Sequence, residues 1–148
     1  MARRFWVASV CCLALATAGC SKKDDAGTAT TGSTATAAQP VRVTGLQLGR
    51  AIGSDMRVTS ETDDFKPNET IYASVATDGT APNATLTARW TYQDGQVVDS
   101  SSRTIAPTGA AATEFHISKP DGWPKGDYKV EILLNGAVVQ SKDFDVGD

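Results

Sequence analysis

The chain is poor in the residues that build reactive centres. It holds one histidine, three cysteines and two methionines in 148 residues. A single histidine excludes a multi-histidine metal site, and one methionine beyond the first residue excludes a methionine-rich copper site. No Gly-x-Ser-x-Gly turn accompanies His116, so nothing marks a serine nucleophile. Helical patterning is missing as well. Beyond residue 40, no stretch of about ten residues repeats apolar side chains at three- and four-residue intervals. Acidic side chains outnumber basic ones, 17 to 14, and no basic cluster offers a surface for an anionic polymer. Nucleic acid is not expected as a partner.

Long apolar runs are also scarce. One occurs, from Phe5 to Ala18, directly after Arg3 and Arg4. It is shorter than the roughly 20 residues of a spanning helix and suits the apolar centre of a secretory signal. Ser21, Lys22, Lys23, Asp24 and Asp25 close it off on the other side. Between run and charges stand the small residues of Thr17-Ala18-Gly19-Cys20. This segment resembles the lipobox of bacterial lipoproteins, which implies cleavage between Gly19 and Cys20 and lipid on the Cys20 sulfur. Residues 1–19 are then a signal peptide. Ser21 resembles the second-position residue of outer-membrane lipoproteins in Gram-negative bacteria. That implies an outer-membrane anchor, with the domain facing the periplasm or the surface.

Cysteine usage agrees. Cys11 and Cys12 leave with the signal, so Cys20 alone remains and no internal disulfide can form. A free thiol in an oxidising compartment is a liability that thioether lipidation removes. Residues 20–40, rich in Thr, Ala and Gly, contain no large apolar side chain. Such a segment buries too little surface to offset its ordering entropy and is expected as a flexible tether. About 20 residues of coil reach roughly 25 Å on average and about 70 Å at full stretch.

Residues 41–148 are expected to form one domain, and their dominant period is two. Leu86, Ala88, Trp90 and Tyr92 alternate with Thr85, Thr87, Arg89 and Thr91. Ile71, Ala73 and Val75 form a second apolar set, Thr113, Phe115 and Ile117 a third, and Tyr128, Val130, Ile132 and Leu134 a fourth. From Val41 to Leu48 the apolar parity switches at Gly45, as a bulge would cause. Asp94-Gly95 and Asn135-Gly136 accept the positive φ of two-residue hairpin turns. The second turn would pair Leu134 with Ala137 and Ile132 with Val139. Continuing that register would turn Phe144 and Val146 outward, so a bulge is expected between Gln140 and Asp143.

Short strands at this spacing, without helices between them, indicate an all-β antiparallel sandwich of about seven strands. The run from Gly126 to Gly136, closing with Phe144 and Val146, resembles the final hairpin of bacterial immunoglobulin-like modules. Trp90 resembles the core tryptophan of that architecture. The resemblance covers residues 65–146 and implies fold alone, since such sandwiches serve many functions.

Three features merit a functional reading. His116 falls on the outward parity of its strand, as a solvated side chain would. Asp55, Glu61, Asp63, Asp64 and Glu69 supply hard oxygens of the kind calcium takes, but without the alternating loop and glycine of an EF-hand. A solvated acidic loop is the simpler reading, and no cofactor or metal is expected. Trp123, between Gly122 and Pro124, is either an exposed recognition anchor or, more commonly, a plug folded over the sandwich end. Any protein or envelope-polymer partner is expected at loops around Asp63 and Asp64 or Trp123. The favoured function is a lipid-anchored, non-catalytic binding or structural module of the cell envelope. An inhibitor or immunity-type lipoprotein that blocks an enzyme is the alternative. A small hydrolase would need clustered catalytic groups that the sequence does not display.

Overall fold

The computed structural model describes residues 39–148. The expected signal peptide, Cys20 and all but the last two residues of the expected tether lie outside the described residues.

Eight strands follow one another without a helix: β1 (Arg42–Gly49), β2 (Asp64–Phe65), β3 (Ile71–Asp78), β4 (Ala84–Tyr92), β5 (Gln96–Ile105), β6 (Ala111–Ile117), β7 (Gly126–Leu134) and β8 (Ala137–Val146). They form a three-stranded sheet, β1-β3-β6, and a five-stranded sheet, β2-β8-β7-β4-β5. The alternation fixes which faces meet. Leu48, Ile71, Val75 and Phe115 of the smaller sheet join Leu86, Trp90, Val130 and Ile132 of the larger one in a single core. This is the immunoglobulin-like sandwich that the sequence predicts. It differs in carrying an eighth strand, the two-residue β2, which runs parallel to β8 and pairs Asp64 with Asp145 and Phe65 with Val146.

Trp90 lies on β4, between β7 and β5, and has no exposed surface. At the start of β7, the Tyr128 hydroxyl donates to the Pro124 carbonyl at 2.8 Å. A tyrosine reaching back a few residues from this strand is the tyrosine corner of immunoglobulin-like sandwiches. Burial, with a smaller contribution from Tyr92, pushes the Tyr128 hydroxyl up to about 12.

The bulge at β1 falls where the parity switch places it. Val43 opposes Thr77 and Gly45 opposes Ala76, so Thr44 is the extra residue. The bulge of β8 falls elsewhere than expected. Asn135 and Gly136 both have positive φ and Leu134 opposes Ala137, as predicted, but Ile132 opposes Gln140. Val139 is the extra residue, and the ladder from Gln140 to Val146 is unbroken. The apolar pattern alone reads Val139 as a core side chain. It lies beyond the buried layer, where an inward side chain would have little to cover, and it is 44% exposed. The parity is therefore corrected next to the turn, early enough to bring Phe144 and Val146 inward.

The hairpin at Asp94-Gly95 is also longer than expected. Tyr92 opposes Gln96, which leaves a three-residue loop with Gln93 and Gly95 at positive φ. Gln93 is drawn out of the hairpin because its N–H donates to the Asp127 carbonyl of β7 at 2.9 Å. After this loop comes β5, a strand that the apolar pattern did not mark.

Tyr128→Phe removes the hydroxyl and leaves the Pro124 carbonyl without this donor. It should cost about 1–2 kcal/mol in urea unfolding, with an unchanged dependence on denaturant.

Candidate functional site

The charged end of the five-stranded sheet is built on β2. Phe65 is buried and meets Phe144 edge-on at 5.7 Å. Phe144 in turn stacks on Tyr128 at 5.3 Å and meets Trp90 edge-on at 5.8 Å. With Phe65 pointing inward, the period of two turns Asp64 outward. The backbone completes the docking: Asp145 N–H donates to the Asp63 carbonyl and Gly147 N–H to the Phe65 carbonyl, each at 2.8 Å.

Two cations, Arg50 and Lys142, hold this edge from either side. Arg50 donates to Glu69 at 2.8 Å and to the Asp64 carbonyl at 2.5 Å, with its guanidinium 5.7 Å from the Phe65 ring centre. The hydrogen bond from Arg50, then that from the Lys66 N–H, holds the Glu69 carboxyl below the usual range. On the other side, the Lys142 ammonium sits 2.7 Å from Glu61 and 3.0 Å from Asp63. Burial disfavours the charged lysine, but its hydrogen bonds to Glu61 and Asp63 outweigh that and raise its pKa. The bond to Lys142 is also the main reason that Glu61 is lowered.

Of the residues singled out from the sequence, Asp63 and Asp64 are thus brought to one sheet edge. Trp123 is at the same end but buried, with 7% of its surface exposed. Its backbone N–H donates to the Pro67 carbonyl at 2.8 Å, and its ring meets Tyr128 edge-on at 6.3 Å. Gly122 allows this close approach, since it has a φ of 81° and a Cβ there would lie 2.9 Å from Asn68. Trp123 is a plug, and the recognition-anchor reading does not hold. Cys20 and Gly19 lie outside the described residues.

The acidic stretch does not converge. Asp55 faces Arg57 at 3.8 Å, Glu61 and Asp63 share Lys142, and Glu69 holds Arg50. Among the described residues no group of three or more His, Cys, Asp or Glu side chains is arranged to hold a metal. His116 is half exposed, with Nδ1 2.5 Å from Glu114 and its ring 5.5 Å from that of Tyr72.

A row of carboxylates that sequence reasoning missed crosses three strands. Asp64, Asp145 and Asp127 stand opposite one another on β2, β8 and β7. A hydrogen bond with Asp127 is the main cause that raises the Asp145 pKa, followed by burial and the charges of Asp127, Asp64 and Asp143. The outward parity of Asp127, Asp143 and Asp145 was legible from their apolar neighbours. Their alignment with Asp64 was not, because a two-residue strand carries no period.

No protein-family model matches the chain, and no curated protein matches it. Among solved structures, it is similar to an immunoglobulin-like protein from Pseudomonas aeruginosa. The two are 18% identical, the match covers 75% of this chain and 99% of that one, and the TM-score is 0.52. A β-glucosidase from intestinal bacteria involved in saponin metabolism is 14% identical over 73% of this chain and 16% of its own, with a TM-score of 0.48. An alkylpurine DNA glycosylase from Pseudomonas fluorescens is 16% identical over 73% of this chain and 30% of its own, with a TM-score of 0.45. The first likeness defines an immunoglobulin-like domain and speaks for fold alone. The other two are too distant to carry an argument.

A carboxyl whose pKa is raised on folding loses stability when it ionises. The penalty at Asp145 is present above its folded pKa and fades as pH falls through that value toward the ordinary aspartate range. Asp145→Asn should therefore stabilise the domain by about 0.5 kcal/mol near pH 7, the scale of exposed cross-strand charge pairs. In urea titrations the gain should vanish at about pH 3, where the carboxyl is protonated in both states.

Proposed function

We propose that the chain is a lipid-anchored lipoprotein of the bacterial cell envelope whose immunoglobulin-like domain acts by binding or by support, without catalysis. The observation that carries this reading is the succession in the chain. A basic start, a short apolar run and Thr17-Ala18-Gly19-Cys20 precede a polar spacer and then a sandwich with its own core. The spacer gives a tethered domain reach, which an interaction module uses and a soluble enzyme does not need.

The chemistry of the domain supports the non-catalytic half. Its one histidine is bonded to Glu114 on an outward face. Its arginines are engaged in ion pairs, such as Arg89 with Glu131 at 2.5 Å and Arg42 with Asp78 at 2.6 Å. Neither arrangement presents a nucleophile beside a base. In this reading the partner, a protein or an envelope polymer, meets the β2 edge around Asp63 and Asp64. Trp123, being buried, takes no part in it. Ser21 favours the outer membrane as the destination.

Processing tests the anchor. The mature protein should begin at Cys20 and carry acyl chains by mass spectrometry. Two or more chains hold stably where one is marginal, at about 0.8 kcal/mol per buried methylene. Cys20→Ala should abolish both processing and membrane association. An unmodified Cys20 on the mature protein would end the proposal. Turnover of an envelope substrate, lost on replacing one polar residue in a still-folded domain, would end its non-catalytic half.

A further inference from the structure

The two sides of the five-stranded sheet are treated differently. On the β8 side, β2 covers the ladder at Asp145 and Val146. The rest of that edge carries the Val139 bulge and Lys142, drawn between Glu61 and Asp63. Bulges and lysines are the usual means of keeping a sheet edge from pairing with another chain. On the opposite side β5 pairs only with β4 among the described residues, and its outer edge is open over Gln96–Ile105. It carries no lysine and no proline, and its one bulge, at Val98, leaves Asp99–Ile105 in regular register.

Its charges have a symmetry of their own. Asp99 and Arg103 lie two residues on either side of Ser101. Both stand opposite core positions of β4, Asp99 beside Trp90 and Arg103 beside Leu86, so both project from the same face of the sheet. Antiparallel pairing with a second β5 about Ser101 sets Asp99 opposite Arg103 twice, and Ser100 opposite Ser102 twice. Cross-strand pairs of opposite charge favour such a register. Moving the axis by one residue leaves both charges without an opposite partner. Moving it onto Asp99 or Arg103 sets like charges face to face. The bulge at Val98 bounds the regular stretch on one side, since Trp90 opposes Asp99 while Thr91 opposes Val97.

Both charged groups have capacity for this contact. Asp99 is exposed and its carboxylate accepts only the neighbouring Ser100 N–H, at 2.7 Å, among the hydrogen bonds of the described residues. The Arg103 guanidinium is half exposed and meets Glu114 at a long 3.4 Å. Its five N–H donors can take a second carboxylate.

We propose that β5 is a homodimer edge: two copies pair antiparallel about a twofold axis at Ser101, joined by reciprocal Asp99–Arg103 contacts. The two five-stranded sheets become one continuous sheet. A twofold, self-complementary contact of this kind closes on itself and does not propagate. The proposal is independent of whether Cys20 carries lipid.

Two full-length copies bearing different tags, expressed together, test it. Wild-type copies should co-purify, and Asp99→Arg in both should reduce recovery by about tenfold, since arginine would then face arginine. A copy with Asp99→Arg and a copy with Arg103→Asp should recover each other, because their charges again oppose. Arg103 also lies over the Phe115 ring, 5.6 Å from its centre, so its variant tests folding as well. Cysteine cross-linking avoids that difficulty. Ser101→Cys, on the axis, should form a cross-linked dimer on mild oxidation beyond that of the parent chain. Thr104→Cys, facing Val98 across the axis, should not. Wild-type copies that fail to co-purify, recovery indifferent to Asp99→Arg, or equal cross-linking at both positions would each overturn the proposal.

Discussion

Phe144 joins the strands on which the candidate site depends. It stacks on Tyr128 of β7, meets Trp90 of β4 edge-on and receives the edge of Phe65 from β2. Each of these rings removes a large apolar surface from water, and edge-on pairs add about 0.5–1.5 kcal/mol beyond that burial. All of it requires Phe144 to point inward, and the Val139 bulge sets that parity. Had the hairpin continued in register from its turn, Phe144 would face solvent. Phe65 would then have no ring to pack on, and β2 would lose its reason to lie beside β8. A single extra residue near one turn thus decides whether the acidic edge exists.

That order of causes explains why the edge tolerates its charges. Asp64, Asp145 and Asp127 stand side by side because their neighbours, Phe65, Val146 and Tyr128, are committed to the core. Burial of those side chains is worth about 1.5–3 kcal/mol each, well above the cost of exposed carboxylates in a screened setting. The raised Asp145 pKa reflects first its hydrogen bond with Asp127, then burial, and only then the neighbouring carboxylate charges, all of which packing overrides. The two cations of this edge are engaged elsewhere, Lys142 with Glu61 and Asp63, Arg50 with Glu69 and the Asp64 carbonyl.

Strands with one buried face were legible in the sequence, because a period of two is the direct image of burial on one side. β3, β4, β6 and β7 follow from their apolar sets, and the parity switch at Gly45 located the β1 bulge. β5 was not legible. At the edge of the sheet, Asp99-Ser100-Ser101-Ser102-Arg103 has little core to meet, and its burial carries no alternation. β2 was too short to have a period. The hairpin turns were legible as turns, but Gln93 showed that a hydrogen bond to a distant strand, here to Asp127, can lengthen one. The Val139 error has a related origin: an apolar residue is not a core residue where the core has ended. For the site, Asp63 and Asp64 were found from their charge, and their neighbours Asp145 and Asp127 only from long-range pairing.

The shape of the domain bears on what it can meet. Aromatic side chains close the end that carries β2, with Trp123 sealed against Tyr128 and the Tyr92 hydroxyl bonded to the Lys125 carbonyl at 3.0 Å. A depression of about 420 Å³ opens on the outer face of the larger sheet, lined by Arg89, Thr91, Val97, Lys129 and Glu131. Its cations already have carboxylate partners, Arg89 in Glu131 and Lys129 in Asp143. Small-molecule sites are concave and largely apolar, with a few convergent polar groups, and this depression is neither apolar nor convergent. Strand edges differ, because an open edge presents a row of backbone N–H and C=O groups with which another strand can pair. A fold that spends its apolar residues on the core and pairs its charges locally retains its binding capacity at those edges. The side chains along each edge then select what is admitted. Val139 and Lys142 obstruct β8, whereas Asp99 and Arg103 leave β5 open to a strand of complementary charge order.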